Sequence, residues 1–369
     1  MVIKNTKRIL LLFSVILILF PITSNAQMTE NVFEARVIEV IKEQEFENID
    51  GIEVTQQNLR LKGLEDKWKD KEAVFYGISE FEVINSNIYK KGDRVLVNYA
   101  QDADGNDVFF VLDYVRRGNL FWLALIFALI IILIGRWKGL KALISLIASF
   151  LIIIKFIIPL ILDGKNPLLI GIIGSFFILL FIIYLTEGFN KKSHLAVISI
   201  SISLLITGGL AVLFTYLARL TGTAEEEIMY LMGVGRGFVD FRGLLLTGIL
   251  IGTLGVLDDM VISQIEVVRQ IKDASFKITK KELIKKSFEV GRSHLGAIIN
   301  TLFLTYAAVS LPFLLLFSAK STIALNQVIN NELIATEIIR TLVGSIGIAL
   351  ALPIATYIAA HHYAKTKKM

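Results

Sequence analysis

The sequence predicts a polytopic α-helical membrane protein, with about seven transmembrane helices behind an N-terminal extracytoplasmic β-barrel or sandwich domain. Three observations carry this. From residue 119 onward, apolar runs recur that are long enough to cross a ~30 Å hydrocarbon slab. Residues 27–118 instead alternate polar and apolar side chains between turn residues. Lys and Arg collect on alternate connections between the apolar runs.

Composition agrees and narrows the chemistry. Hydrophobic residues make up 54% of the chain and mean hydropathy is +0.66, well above the usual globular share. The net charge of +5 does not point to nucleic acid, because the basic residues sit in short clusters between the apolar runs. With no cysteine, disulfides, thiolate metal sites and cysteine nucleophiles are excluded. No phosphate loop is present, so the chain does not itself hydrolyse nucleotide. No cofactor is called for.

The first element is an export signal over residues 1–26. Lys4, Lys7 and Arg8 precede the apolar run Ile9–Phe20, followed by Pro21 and the small-residue site at Ser24, Asn25 and Ala26. The second is the β-rich domain, residues 27–118, with five or six strands. Alternating runs at Glu72–Ile78, Phe81–Ile84, Arg94–Tyr99 and Val108–Val115 are strand-like. Lys91, Gly92 and Asp93 open one strand, and Asp104 with Gly105 signals a hairpin. The stretch Asp102–Asp107 mildly resembles a calcium loop, but Asp107 stands where the sharp-turn glycine belongs, so a plain hairpin is expected.

The helical domain, residues 119–363, follows, with apolar runs at 119–135, 141–162, 167–186, 195–218, 243–263, 295–317 and 341–360. With the β-domain outside, the predicted inner segments hold 16 Lys and Arg and the three outer connections hold six. The inner set includes a basic cytoplasmic loop at 264–293 and the tail 364–369. This is the asymmetry expected when basic segments stay cytoplasmic, and it puts the C-terminus inside. Lys155, within the second run, is read as snorkelling toward Asp163. His194, His294, His361 and His362 all fall at predicted cytoplasmic ends, where an interfacial role is expected.

Two connections carry helix signals. Thr223 with Glu226 has the spacing of a capping box opening a short outer helix that the glycines at 233, 235 and 237 would end. Thr279 with Glu282 repeats the device inside. There Leu283, Ile284 and Phe288 form an apolar stripe on a basic helix, suited to the inner leaflet or to a docking partner.

The stretch Arg242-Gly-Leu-Leu-Leu-Thr-Gly-Ile-Leu-Ile-Gly-Thr-Leu-Gly-Val-Leu-Asp-Asp259 resembles the hallmark of YibE/F-like membrane proteins. The later Gly291-Arg-Ser-His-Leu-Gly296 and Asn300-Thr301-Leu302 are similar to that family too. An exported β-domain ahead of seven spans also fits, over roughly residues 30–360. The resemblance implies a bacterial multipass membrane protein and carries over Asp259 and Asn300. At Asp258 the family pattern more often has an apolar residue. It implies no established substrate.

Carboxylates in hydrocarbon are expensive, so Asp258 and Asp259 are the leading site residues. At ~1.5 Å per residue from Gly243, Asp259 lies about 24 Å into a ~30 Å slab. Asn300, counted from His294, lies about 9 Å from the other face, at similar depth in the cytoplasmic third. Thr301 and Thr305 add hydroxyls one residue and one further turn on. Such oxygen donors suit a hard cation or a proton relay. Gly248, Gly252 and Gly255 are candidates for close helix packing. Pairs at Gly171/Gly174 and Gly344/Gly347 repeat the pattern, and Pro159, Pro312 and Pro353 lie inside runs.

Three classes of function are open. A transporter or permease component for an ion or small solute would use Asp258, Asp259, Asn300, Thr301 and Thr305. A non-transporting assembly, scaffold or sensing protein would bind through its exported β-domain and basic inner loop. An intramembrane enzyme is disfavoured, because an aspartyl protease needs carboxylates on two helices and this pair shares one. The expected partner is the lipid bilayer, with a second membrane subunit or another copy of the chain left open. The expected location is the cell membrane.

Overall fold

The computed structural model describes residues 31–47, 53–78, 87–102, 104–225, 227–228, 231, 239–275, 277–319 and 324–365. The export signal, the run Phe81–Ile84, Glu226 of the outer capping box and the glycines at 233, 235 and 237 lie outside the described residues. The chain divides near residue 130 into two compact units.

The first unit holds strands β1 (Val32–Glu47), β2 (Glu53–Gly63), β3 (Glu72–Tyr76), β4 (Arg94–Gln101) and β5 (Asp107–Tyr114). They form one antiparallel sheet in the order β3-β2-β1-β4-β5. Alternate residues face inward, as a pleated strand requires: Phe33, Ala35 and Val37 of β1 meet Leu59 and Leu61 of β2 and Val95 and Val97 of β4. Irregularities between Val37 and Glu39 and between Val40 and Lys42 bend the long β1. The two edge strands, β3 and β5, come within 8 Å of each other, so the sheet is curled.

Trp68, on the short turn Asp66–Trp68, closes the core against Phe33 at 5.2 Å, Tyr99 at 5.1 Å and Phe109 at 5.0 Å. The loop between β4 and β5 is a hairpin. Asp102 accepts from the backbone N–H of Asp104 (2.9 Å) and Asn106 (2.8 Å), and Gly105 takes φ +85°. These donors, the Asn106 side chain foremost, hold the Asp102 carboxyl below the usual carboxylate range.

The second unit is helical. Helix α1 (Arg117–Ile152) breaks at Arg136, where φ is 49° and ψ is −131°, so the first two apolar runs are separate helical segments. A π turn (Ile153–Ile157) leads into α2 (Ile158–Leu162), which carries Pro159 in its first turn. Proline lacks the N–H that would continue the ladder, and its ring crowds the carbonyl four residues earlier. Next come α3 (Pro167–Thr186), α4 (Lys191–Leu217), α5 (Phe241–Ala274), α6 (Lys280–Val309), α7 (Leu311–Ala319), α8 (Leu325–Asn330) and α9 (Glu332–Lys365).

Five stretches are long and apolar enough to cross a membrane, and six if α6 and α7, bent by 56°, count as one. The bend falls at Pro312, whereas Pro353 sits inside the unbroken α9. The seven expected apolar runs lie on helical residues except for turns at Ala218 and Ser310. Two of them share the single stretch Arg117–Leu162.

Helix α5 is central and packs against α3, α4, α6 and α9. Leu250, Leu254, Leu257, Val261, Ile265 and Val268 are three or four residues apart and all buried, so they form one stripe down the helix. The capping box at Thr279 and Glu282 is formed, with bonds of 3.1 and 3.3 Å. It opens a helix that runs unbroken to Val309, so most of the expected loop at 264–293 is helical. The stripe on that helix is used within the chain. Leu283 is fully buried, and Ile284 and Phe288 pack against the same core.

Of the expected trio only Gly252 is in a close approach, and tighter ones fall in the other expected pairs, at Gly171, Gly174 and Gly347. A methyl group at Gly248 or Gly255 would meet nothing within 4 Å, and one at Gly252 would meet only the Tyr306 hydroxyl. At Gly347 it would stand 2.1 Å from Thr207 Oγ1, and at Gly171 2.5 Å from Thr247 Oγ1. Gly347→Ala is therefore expected to cost about 1–3 kcal/mol by overpacking. Gly255→Ala should leave stability unchanged or raise it by up to about 1 kcal/mol. Thermal midpoints of the two variants in detergent check this, and equal midpoints would contradict it.

Candidate functional site

Helix α5 sets the place of the two carboxylates. Its buried stripe puts Leu257 and Met260 into the core, and Asp258 lies between them in sequence, half-buried. Asp258 Oδ1 is shielded from solvent and has no hydrogen-bond partner among the described residues. The charges acting on Asp258 are the carboxylates of Asp259 and, from the end of α3, Glu187. A shielded carboxylate oxygen with nothing bonded to it is costly, and is a natural seat for a proton, a cation or a water. Asp259 is exposed, and its charge neighbour is His294 of α6.

The other expected donors do not converge on this pair. Asn300, Thr301 and Thr305 are exposed. The two hydroxyls donate to carbonyls of their own helix, Thr301 to Ala297 at 3.0 Å and Thr305 to Thr301 at 2.7 Å. Leu302 and Thr253 both border Gly344, which puts residue 302 level with residue 253. Asn300 is then level with residue 255, about 6 Å along α5 from Asp259 at ~1.5 Å per residue. No hydrogen bond joins Asp259 to Asn300 among the described residues. Lys155 is exposed and makes no ion pair with Asp163.

Toward the basic end of the bundle, two polar layers follow the carboxylates. The first is buried: Gln264 Nε2 donates to the Ser287 carbonyl (3.0 Å) and to Thr356 Oγ1 (2.8 Å), tying α5, α6 and α9 together. The second is an ion-pair chain. Lys192 meets Glu187 at 2.9 Å and Glu266 at 3.2 Å, Glu266 meets Arg269 at 2.5 Å, and Arg269 meets Asp273 at 3.3 Å. Glu187, Lys192, Glu266 and Arg269, with Lys138, Asn190 and Tyr363, line an open pocket of about 570 Å³. Tyr184 and His194 share a hydrogen bond of 2.8 Å nearby in sequence, and Lys280 approaches His361 Nδ1 at 3.1 Å. No group of three or more His, Cys, Asp or Glu able to hold a metal ion occurs among the described residues.

At the opposite end lies a cavity of about 540 Å³ that sequence reasoning misses. Its walls come from the π turn, α2, α5, α7, α9 and the connection before α5. They are mostly apolar, with Ile157, Ile161, Leu244, Ile251 and Phe313 among them. Glu337 and Arg340 also line it, paired at 2.8 Å. The Arg340 guanidinium stands 5.8 Å from the Tyr306 ring. Glu337 Oε2 and Arg340 Nε have no partner among the described residues. The sequence signal is Glu followed by Arg three residues on, at the head of an apolar run. Counting Arg340 only as an outer charge conceals it.

A family model described as YibE/F-like protein matches residues 123–365. The match spans the helices and starts beyond the last strand, so the β-sheet lies outside it. No curated protein and no solved structure matches the chain.

Proposed function

The chain belongs to the YibE/F-like family, and from that premise we propose that it is a multipass membrane protein acting as a transporter component for an ion or small solute. In this reading the β-rich domain is extracytoplasmic, seven spans follow with the first two parted at Arg136, and the basic end of the bundle is cytoplasmic. The acidic site is Asp258 with Asp259, in the cytoplasmic third of the bilayer. No catalytic step is assigned to the chain.

One observation carries the reading: the shielded, unpartnered oxygen of Asp258 in the middle of the central helix. Ionisable groups at such a depth are rare, and they mark ion pathways and proton relays more than packing. The ion-pair chain through Lys192, Glu266 and Arg269 supports it, because Glu266 and Arg269 follow the carboxylates on α5 toward the basic surface and Lys192 joins them from α4. A screen of proton and cation flux in proteoliposomes of the purified chain tests the proposal. Dissipation of an imposed gradient above protein-free vesicles is the expected result.

The second reading, a non-transporting assembly or sensing protein, draws on the exposure of Asp259, Asn300, Thr301 and Thr305. Polar groups on the outside of a spanning bundle suit contact with another subunit. A stable co-purifying partner together with no flux would favour it.

A further inference from the structure

At the basic end of the bundle a further opening, of about 670 Å³, forms where α4, α6 and α9 meet. Its polar lining is Lys280 of α6 with His361, His362 and Lys365 of α9, and no carboxylate is among the lining residues. Lys280, His361 and Lys365 are exposed. The Lys280 ammonium donates to His361 Nδ1 at 3.1 Å. That bond places the ring's own proton on Nε2, so the pair has further donors and no acceptor to offer. The charges acting on the ring, from Lys365 and Lys280, are both positive. An anion here meets donors and positive charge with no carboxylate competing for them. The pocket at Glu187 and Glu266 differs, because those carboxylates already pair with Lys192 and Arg269.

The rest of the lining selects among anions. It consists of Leu195, Tyr357 and Ile358, and Tyr357 is 55% exposed. Ile346, Leu350, Tyr357 and His361 follow one another at intervals of four, seven and four residues, which puts them on one face of α9. All four are exposed. An apolar lane therefore runs along this spanning helix and ends at the cations. A free inorganic anion would use the cations and leave the lane unused. A zwitterionic headgroup would bring an ammonium to a lining that has no carboxylate to receive it. An anionic phospholipid matches both parts.

We propose that this opening holds the phosphate of an anionic phospholipid of the cytoplasmic leaflet, with an acyl chain along the α9 lane. Basic pockets between spanning helices on the cytoplasmic side suit such headgroups. The inference rests on the chain being a membrane protein with its basic end cytoplasmic, and not on transport. Binding is measured in micelles and flux in vesicles, so the two readings fail separately.

The experiment is equilibrium binding of radiolabelled phosphatidylglycerol to the purified full chain in a neutral detergent. Phosphatidylcholine, glycerophosphoglycerol and inorganic phosphate are the competitors. Phosphatidylglycerol should bind saturably. Phosphatidylcholine should compete about tenfold or more weakly, because each of the two lysines favours an anionic headgroup. Glycerophosphoglycerol and phosphate carry no acyl chain and should compete more weakly than phosphatidylglycerol itself. Lys280→Gln should weaken binding by about tenfold, the worth of one lost charge-assisted hydrogen bond. His361→Gln should weaken it in the same direction. Both side chains are exposed, so thermal midpoints should not change. Lys285→Gln makes the same charge change on α6 outside the opening and should leave binding as in the wild type.

Absence of saturable phosphatidylglycerol binding overturns the proposal. Equal competition by phosphatidylcholine, which marks an ordinary lipid belt, overturns it too. So does phosphate or glycerophosphoglycerol competing as well as the lipid, which marks a site for free phosphate. Undiminished binding by Lys280→Gln and His361→Gln, or an equal loss in Lys285→Gln, removes the opening from the interaction.

Discussion

Asp258→Asn is expected to bring flux through reconstituted vesicles down to the protein-free background, with the amount of inserted protein unchanged. The substitution keeps the shape of the side chain and removes its charge and its exchangeable acid proton. Insertion should not suffer. A charged side chain at a helix centre costs roughly 2.5–3.5 kcal/mol on insertion scales, and a neutral amide costs less than a charge to bury. Asp259→Asn is expected to lower flux less, because Asp259 is exposed, whereas Asp258 carries the shielded oxygen. Equal flux in wild type and Asp258→Asn, measured with the same ion and pH gradients, would remove the acidic site from the mechanism.

Gln264→Ala should have the largest effect on stability. The amide ties α5, α6 and α9 together, bonding the Ser287 carbonyl and Thr356 Oγ1. It also packs at close range on Gly291. Removing it loses two buried hydrogen bonds and leaves a cavity, for a combined loss of about 2–4 kcal/mol. Interhelical hydrogen bonds in bilayers average only about 0.6 kcal/mol in double-mutant cycles, so the cavity should dominate. Gln264→Leu, which keeps most of the volume, should therefore cost only about 1 kcal/mol. Thermal unfolding in detergent distinguishes the two, and an alanine variant as stable as wild type would contradict the packing described for α5.

Much of this architecture is legible in the residues because hydrocarbon leaves little choice. A run such as Pro167–Thr186 reads as a helix on composition alone, and the start of α6 is written in Thr279 and Glu282. The hairpin at Asp102–Asp107 is likewise a matter of local turn chemistry.

What depends on partners distant in sequence is not legible. Gly255 and Gly347 look alike in a Gly-x-x-Gly pattern, yet only Gly347 lies against Thr207. Counting from a membrane edge at His294 leaves Asn300 about 3 Å from the level of Asp259, whereas the register of α6 against α5, set by Leu302, Gly344 and Thr253, leaves about 6 Å. Leu283 looks like a membrane-surface residue on a basic helix until the buried faces of α5 and α9 are brought to it. Glu337 and Arg340 look like solvated charges because nothing local announces the cavity beside them.

For Asp258 to serve an ion pathway, its side chain, although Oδ1 is shielded in this structure, must be reachable from the cytoplasmic side. The chain has no cysteine, so Asp258→Cys supplies a single thiol, and Gly255→Cys one turn away supplies the comparison. A charged, membrane-impermeant thiosulfonate added from the cytoplasmic side is predicted to modify Asp258→Cys and to spare Gly255→Cys. Modification of both at one rate, or of Asp258→Cys by a lipid-soluble reagent alone, would contradict the account.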